Sequence, residues 1–316
     1  MLKSKRKIIG ITLGDPCGIG PEVVAKSLAR VSSDFPAARF LLIGDETVFR
    51  RYSKSGAFKK NITFLDLKNF PQKNFTIGKS NPIAAKASLE YIDHAIQLLK
   101  RKKIDSLVTA PVSKESICAS GVPFIGHTEF LAEAFQVKNL GMMFVAHDLK
   151  MILVTRHIPL KAVSRAINAK NVHEAIELLY LALKKYFRII RPRIAVCGLN
   201  PHAGEAGTIG KEEKQKIIPA IQKAKEEGIK IFGPFSSDTL FVPQFSKEYD
   251  GIVAMYHDQG LIPLKALYFS SLVNLTVGLP FIRTSPAHGT AFNIAGCNKA
   301  DPSSMIEAIK LAVQLS

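Results

Sequence analysis

The sequence predicts an α/β protein with a mostly parallel, covered sheet. Short apolar runs alternate with stretches of helical spacing, several runs end in polar clusters holding histidine, and no internal repeat or low-complexity linker interrupts the order. At 316 residues the chain has material for about two domains. With no linker visible, a second domain is expected to be woven into the sheet.

Residues 8–13 read as the first strand, followed by a glycine-rich turn and a helix carrying Val23, Val24, Ser27 and Leu28 at helical spacing. Pro21 suits the start of that helix, and the glycines of 14–20 permit a tight turn. The loop either holds an anion on exposed amides or is simply a close strand-to-helix connection; Gly18-x-Gly20 lacks the third glycine of a dinucleotide fingerprint. Strands at 40–43 and 62–67 follow. The helix at 83–102 places Leu89, Ile92, Ile96 and Leu99 on one face, and 107–110 is a further strand. Thr128 caps an amphipathic segment at 126–135, which makes His127 a helix-start residue on the plainest reading.

Residues 144–146 and 151–155 read as two strands about a turn that holds His147. A helix at 172–187 buries Ile176, Leu179 and Leu183, leaving His173 on its polar face like His94. A strand at 194–199, a flexible loop at 203–207 and a charged helix at 211–227 come next. After the capped start at Ser236 to Thr239, the apolar run 252–255 stops at Tyr256 and gives way to His257, Asp258, Gln259, Gly260 and, later, Lys265. A strand at 272–277, a long polar loop to Gly296 and a helix at 302–315 close the chain.

The totals exclude several classes. No apolar run approaches the roughly 20 residues of a membrane helix, and the basic stretch 3–7 leads into a run too short for a signal peptide, so a soluble cytoplasmic protein is expected. Cys17, Cys118, Cys197 and Cys297 form no CxxC pair, which argues for free buried thiols. The formal charge of +17 favours acidic partners, but the lysines are spread over many faces without aromatic interleaving or a binding module, so no nucleic-acid partner is expected.

His157, His202 and His257 each follow an apolar run, where open α/β sheets place their ligand chemistry. Each is either a structural loop histidine or a metal ligand; together their neutral imidazoles suit zinc, cobalt or nickel with positions left open for substrate. Lys265, Asn274 and Arg283 fall in consecutive elements. The lysine and arginine either bind phosphate or carboxylate or stand on the surface.

GDPCGIGPE, GHTEF, TRHIPL, LNPHAGE, SSDTLF, YHDQGLIPLK, VNLTVGLPFIRTSP and HGTAFNIAG occur in one order across nearly the whole chain. Together they resemble the 4-hydroxythreonine-4-phosphate dehydrogenase family of vitamin B6 biosynthesis. The resemblance implies an isocitrate/isopropylmalate dehydrogenase-like fold, with two α/β/α domains flanking a cleft. The first would comprise 1–115 with 270–316, and the second, 116–269, would carry the metal histidines and the dimer contacts. It implies a homodimer with its active site at the subunit interface, working with NAD, with NADP as the alternative, and a divalent metal such as zinc, magnesium or cobalt.

By the same resemblance His157, His202 and His257 are the metal ligands, one of them reaching the site from the partner subunit. His127, Thr128, Lys265, Asn274 and Arg283 contact substrate. His288, Gly289, Thr290 and Asn293 belong to a loop similar to the HGSAPDIAG loop that holds the adenosine half of the dinucleotide. Lys265, tuned by Asp238 or Asp258, is the expected base, with a metal-bound water as the alternative. The chain departs from the pattern at Ala287, where relatives often carry an acid, at Asn293, where the wider fold has aspartate, and at Cys17, where alanine is usual. The first two bear on the choice between NAD and NADP. The expected reaction is oxidation of 4-phosphooxy-L-threonine. Alternatives are a sister dehydrogenase of threonate or erythronate 4-phosphate and a non-redox phosphate-binding or acyltransferase protein.

Overall fold

The computed structural model describes residues 6–53, 59–71 and 75–316, so only residues 6 and 7 of the basic stretch fall within it. The strands are β1 (Ile8–Thr12), β2 (Arg39–Gly44), β3 (Ile62–Asp66), β4 (Ser106–Thr109), β5 (Gly141–Ala146), β6 (Leu149–Leu153), β7 (Arg193–Cys197), β8 (Lys230–Phe235), β9 (Gly251–Ala254), β10 (Val273–Val277) and β11 (Ile282–Pro286). The longer helices are α1 (Gly20–Asp34), α2 (Pro82–Lys100), α3 (His127–Ala134), α4 (Ala169–Lys185), α5 (Ile218–Glu226), α6 (His257–Tyr268) and α7 (Ser303–Leu315). Among the described residues no helix is long and apolar enough to cross a membrane.

The chain divides into two compact units, residues 1–138 with 279–316 and residues 139–278. Residues 116–138, expected in the second domain, therefore group with the first, and 270–278 group with the second. His157, His202 and His257 all lie in the second.

In the first unit β3, β2, β1, β4 and β11 run parallel in that order. Ile9, Ile11, Phe40, Leu42, Leu107 and Val108 are buried, the continuous apolar character that two covered faces demand. α2 packs on β1 and β2, while α7 packs on β4 and β11 beside α1. The caps follow the sequence: Asn81 accepts from the amides of Ile83 (2.8 Å) and Ala84 (3.4 Å), and Pro82 opens α2.

In the second unit the order is β10, β5, β6, β9, β7, β8. β5 runs antiparallel to both of its neighbours, β10 and β6; β6, β9, β7 and β8 are parallel. Leu153 aligns with Ala254, Val196 with Val253 and Cys197 with Phe235, so four strands end at one edge. α4 is fixed by a capping box between Asn168 and Asn171 and covers β5, β6 and β9.

Four elements depart from the expectation. β8 contains Gly233-Pro234 and lacks a clean apolar run, yet Ile231 is buried beside β7. β11 lies inside the expected long loop: Arg283, Thr284 and Ser285 are buried polar residues, which hides the strand from an apolar pattern. Residues 257–268 form α6 despite Gly260 and Pro263. The expected helix at 211–227 is interrupted by a π-turn, Glu213–Ile217, before α5. Pro219 cannot donate to an i−4 carbonyl, which explains a break in the regular ladder there. Two cysteines, Cys17 and Cys197, are buried as expected, whereas Cys118 and Cys297 are exposed; all four are free.

Candidate active site

The edge where β6, β9, β7 and β8 end carries the second unit's polar cluster. Beyond β6 the chain stays beside β9, because the Val154 amide donates to Ala254 O (2.9 Å) and the Thr155 hydroxyl to Met255 O (2.7 Å). This tie delivers His157 to His257, the first residue of α6, with ring centroids 5.6 Å apart. His257 Nδ1 lies 2.7 Å from Asp258 Oδ1, which leaves Nε2 to face outward.

His202 enters after β7 on an unusual turn, Pro201–Gly207. His202, Ala203, Gly204, Glu205 and Ala206 all have positive φ, at 52°, 52°, 80°, 43° and 52°. Each non-glycine residue so held costs roughly 1–2 kcal/mol. A loop read from sequence as flexible is therefore a strained, defined one. Asp238 follows β8 and is fully exposed; the Ser236 hydroxyl (2.6 Å) holds its carboxyl below the usual range, with the Thr239 amide (2.8 Å) and the charge of His202 adding to the effect.

Two adjacent concavities result. One of about 430 Å³ is lined by His157 and His257, the other of about 520 Å³ by His202 and Asp238, and Tyr256 and Asp258 border both. Gln259 ties the strand ends together: its Oε1 accepts from Met255 N (2.6 Å), and its Nε2 donates to Gly198 O (2.7 Å) and Ser237 Oγ (2.7 Å).

Two imidazoles on one tetrahedral ion, with nitrogen–metal bonds near 2 Å, have ring centroids about 5 Å apart, so His157 and His257 fit a shared cation. The ligand atoms of His157, His202 and His257 are not all within 4.8 Å of one another, so one copy brings two of the three together. Among the described residues the trio that does meet that distance is His173, Glu177 and Glu227. His173, expected on a polar face, is buried, with Nε2 2.7 Å from Glu227 and Nδ1 3.4 Å from Glu177. Both ring nitrogens thus face carboxylates, and the contact with Glu227 ties α4 to the end of α5.

Lys265 is exposed on the last turn of α6. Asp258 turns to His257 and Asp238 to Ser236, so neither tunes the lysine by an ion pair. Asn274, on β10, keeps a buried Oδ1 without a hydrogen-bond partner.

The first unit holds a second polar group. Arg283 on β11 is buried, not on the surface, and its Nη2 donates to Thr109 Oγ1 (2.6 Å). Burial lowers its pKa to about 10, partly opposed by Glu129, so it remains a cation at neutral pH. His127 opens α3 beside Phe124, and burial, with the charges of Arg283 and Lys114, holds its imidazole well below the usual value. Its Nε2 is buried without a hydrogen-bond partner, and Thr128 beside it is also buried. A neutral donor beside cations suits a phosphate or carboxylate. Lys114 and Glu129 were not singled out from sequence, since lone charges on short helices carry no pattern.

The 288–296 loop is braced by the loop at 14–20. Thr290 O accepts from Ile19 N (2.9 Å), and a Cβ at Gly18 would lie 3.1 Å from Thr290. The amides of Asp15, Cys17, Gly18 and Ile19 all donate within the protein, to Pro111 O, Asp15 Oδ1, Asp15 O and Thr290 O. The loop at 14–20 is thus a close connection with these four amides used internally. Gly289 has open space where a side chain would stand, His288 Nδ1 lies 3.1 Å from Gly289 O, and Asn293 is exposed on a short 3-10 turn.

The sequence profile of Pyridoxal phosphate biosynthetic protein PdxA matches residues 23–312. The 4-hydroxythreonine-4-phosphate dehydrogenase of Sulfurihydrogenibium sp. is 42% identical, covering 97% of this chain and 98% of its own. The D-threonate 4-phosphate dehydrogenase of Cupriavidus necator is also 42% identical, covering 98% and 97%. Among solved structures, 4-hydroxythreonine-4-phosphate dehydrogenase from Klebsiella pneumoniae superposes with a TM-score of 0.86 at 34% identity, over 99% of this chain and 100% of that one. Isocitrate dehydrogenase from Methylococcus capsulatus, at 15% identity and a TM-score of 0.51 over 98% and 85%, shares the fold. Matched along nearly its whole length in both sequence and structure, the chain belongs to the pyridoxal phosphate biosynthetic protein PdxA family.

Proposed function

We propose that this protein is an NAD-dependent, divalent-metal-assisted dehydrogenase that oxidises the secondary alcohol of 4-phosphooxy-L-threonine to 2-amino-3-oxo-4-phosphooxybutanoate. That β-keto acid then loses carbon dioxide to give 3-amino-2-oxopropyl phosphate. The observation that carries the reading is the convergence of His157, His257, His202 and Asp238 on the ends of four adjacent parallel strands, in a chain of this family.

His157, His257 and His202 hold the ion, and Asp258 fixes the ring orientation of His257. A bound cation would supply Lewis-acid polarisation of the reacting oxygen, and a bound nicotinamide would supply the hydride acceptor. Lys265 is the base for the hydroxyl proton, and Asn274 orients the substrate. Arg283, His127 and Thr128 recognise the phosphate and carboxylate. His288, Gly289, Thr290 and Asn293 receive the adenosine half of NAD; with Ala287 and Asn293 in place of acids, NADP is the alternative.

The active form is taken to be a cytoplasmic homodimer in which one histidine comes from the partner. The exposed Ile158, Leu160 and Ile262, close in sequence to His157 and His257, support a covered face there.

Incubation with NAD, a divalent cation and 4-phosphooxy-L-threonine is expected to raise absorbance at the NADH wavelength, and His202→Ala to abolish the rise. Undiminished turnover in that variant would refute the ion site. The D-threonate 4-phosphate relative, equal in identity, favours a second reading in which threonate or erythronate 4-phosphate is oxidised. The ratio of kcat/KM across the three compounds decides between them.

A further inference from the structure

The turn that carries His202 is not explained by its own sequence. Of the six residues at positive φ, His202 to Gly207, only the two glycines adopt it without a steric penalty. The amides of Ala203, Thr208 and Ile209 bond locally, to Asn200 O, Glu205 O and Gly204 O, but none of these bonds fixes where the turn sits on β7. The anchor comes from the next helical segment. Glu213, 3% exposed, places its carboxylate inside the turn. Oε1 accepts from the amides of Leu199 (2.8 Å) and Asn200 (2.7 Å), and Oε2 accepts from Asn200 Nδ2 (2.9 Å).

Two glycines make room for it. A Cβ at Gly204 would lie 2.5 Å from Oε2, and one at Gly198 would lie 3.2 Å from Oε1 and 2.7 Å from the Cα of Ala203. Glu213 is also the first residue of the π-turn Glu213–Ile217, a helix defect frequent at functional sites.

We infer that Glu213 is the positioning residue for His202, holding the left-handed turn through Leu199 and Asn200 so that the imidazole keeps one direction. The inference rests on the reading of His202 as an ion ligand, and the test separates the two. Full-length Glu213→Gln, Glu213→Ala and His202→Ala are compared by zinc affinity, by amide exchange over residues 198–208, and by kcat against the KM for NAD.

Glu213→Ala is expected to weaken zinc binding by about 10- to 100-fold, the range for losing an outer-shell partner. It should speed exchange over 198–208 and lower kcat with the KM for NAD unchanged. Glu213→Gln keeps the Oε1 acceptor and should fall between Glu213→Ala and the wild type. Should the alanine variant not fold, Gly204→Ala makes the test from the other side, because its methyl must displace Oε2, and the same changes are expected. Wild-type exchange over 198–208 in these variants overturns the inference whatever the ion does. Wild-type zinc affinity in His202→Ala sinks only the ion-site reading, since the turn is read independently of zinc.

Discussion

Asp15 is a carboxylate without solvent access, in the loop that braces Thr290. One oxygen accepts from Cys17 N (2.8 Å), while Oδ2 is buried without a hydrogen-bond partner. Burial raises its pKa to about 6 from 3.8, against the opposing pull of the Cys17, Gly18 and Ser113 amides. Because the folded pKa lies above the unfolded one, folding favours the protonated form. Below the unfolded pKa both states are protonated and the group carries no penalty. As pH rises through the window from 3.8 to about 6 the penalty grows, and above it the penalty is complete. At 1.36 kcal/mol per pH unit the effect is about 3 kcal/mol at most. Asp15→Asn should therefore match the wild type near pH 4 and exceed it at pH 8 in denaturant midpoint. A difference between the two proteins that does not change with pH would contradict the assignment.

At the scale of elements, the site depends on strand ends staying in register, and Gln259 is the side chain that binds three of them. Met255 follows β9, Gly198 follows β7 and Ser237 follows β8, and each bonds to the one amide group. Gln259→Met keeps the length and removes all three bonds, leaving a part-buried amide and carbonyl without partners, which costs about 1–3 kcal/mol for each unsatisfied group. A double-mutant cycle with Ser237→Ala should give a coupling above about 0.5 kcal/mol, whereas additivity would show that the bonds are not cooperative. None of this was legible in the sequence, because Gln259 and Ser237 are joined only through the register of β9 with β7 and of β7 with β8. What was legible followed periodicity: β1, β2, β4, α2 and α4 are runs whose burial matches their apolar pattern. β11 was hidden because Arg283 and Thr284 meet partners at Thr109 Oγ1 and Ala308 O that no local pattern reveals.

Across the whole molecule, strand-end context identified the candidate ligands, since His157, His202 and His257 do follow adjacent parallel strands. Glu213 and Gln259 escaped because a supporting role is a property of distance in space, not of residue type. The chain order has a further consequence. The first unit is built from both chain ends, with residues 139–278 inserted between them. β11 pairs with β4, and α7 buries Met305, Ile306, Ile309 and Ala312 on that unit. A chain ending at residue 278 lacks both. It leaves one side of β4 unpaired and uncovers the apolar surface that α7 occupies beside α1, β4 and β11. Edges and apolar faces of this kind favour aggregation over folding. The truncated chain is expected to lose amide protection across β1 and β4 and to precipitate. Native-like protection of those strands in a soluble 1–278 chain would mean that the first unit folds from its N-terminal part alone.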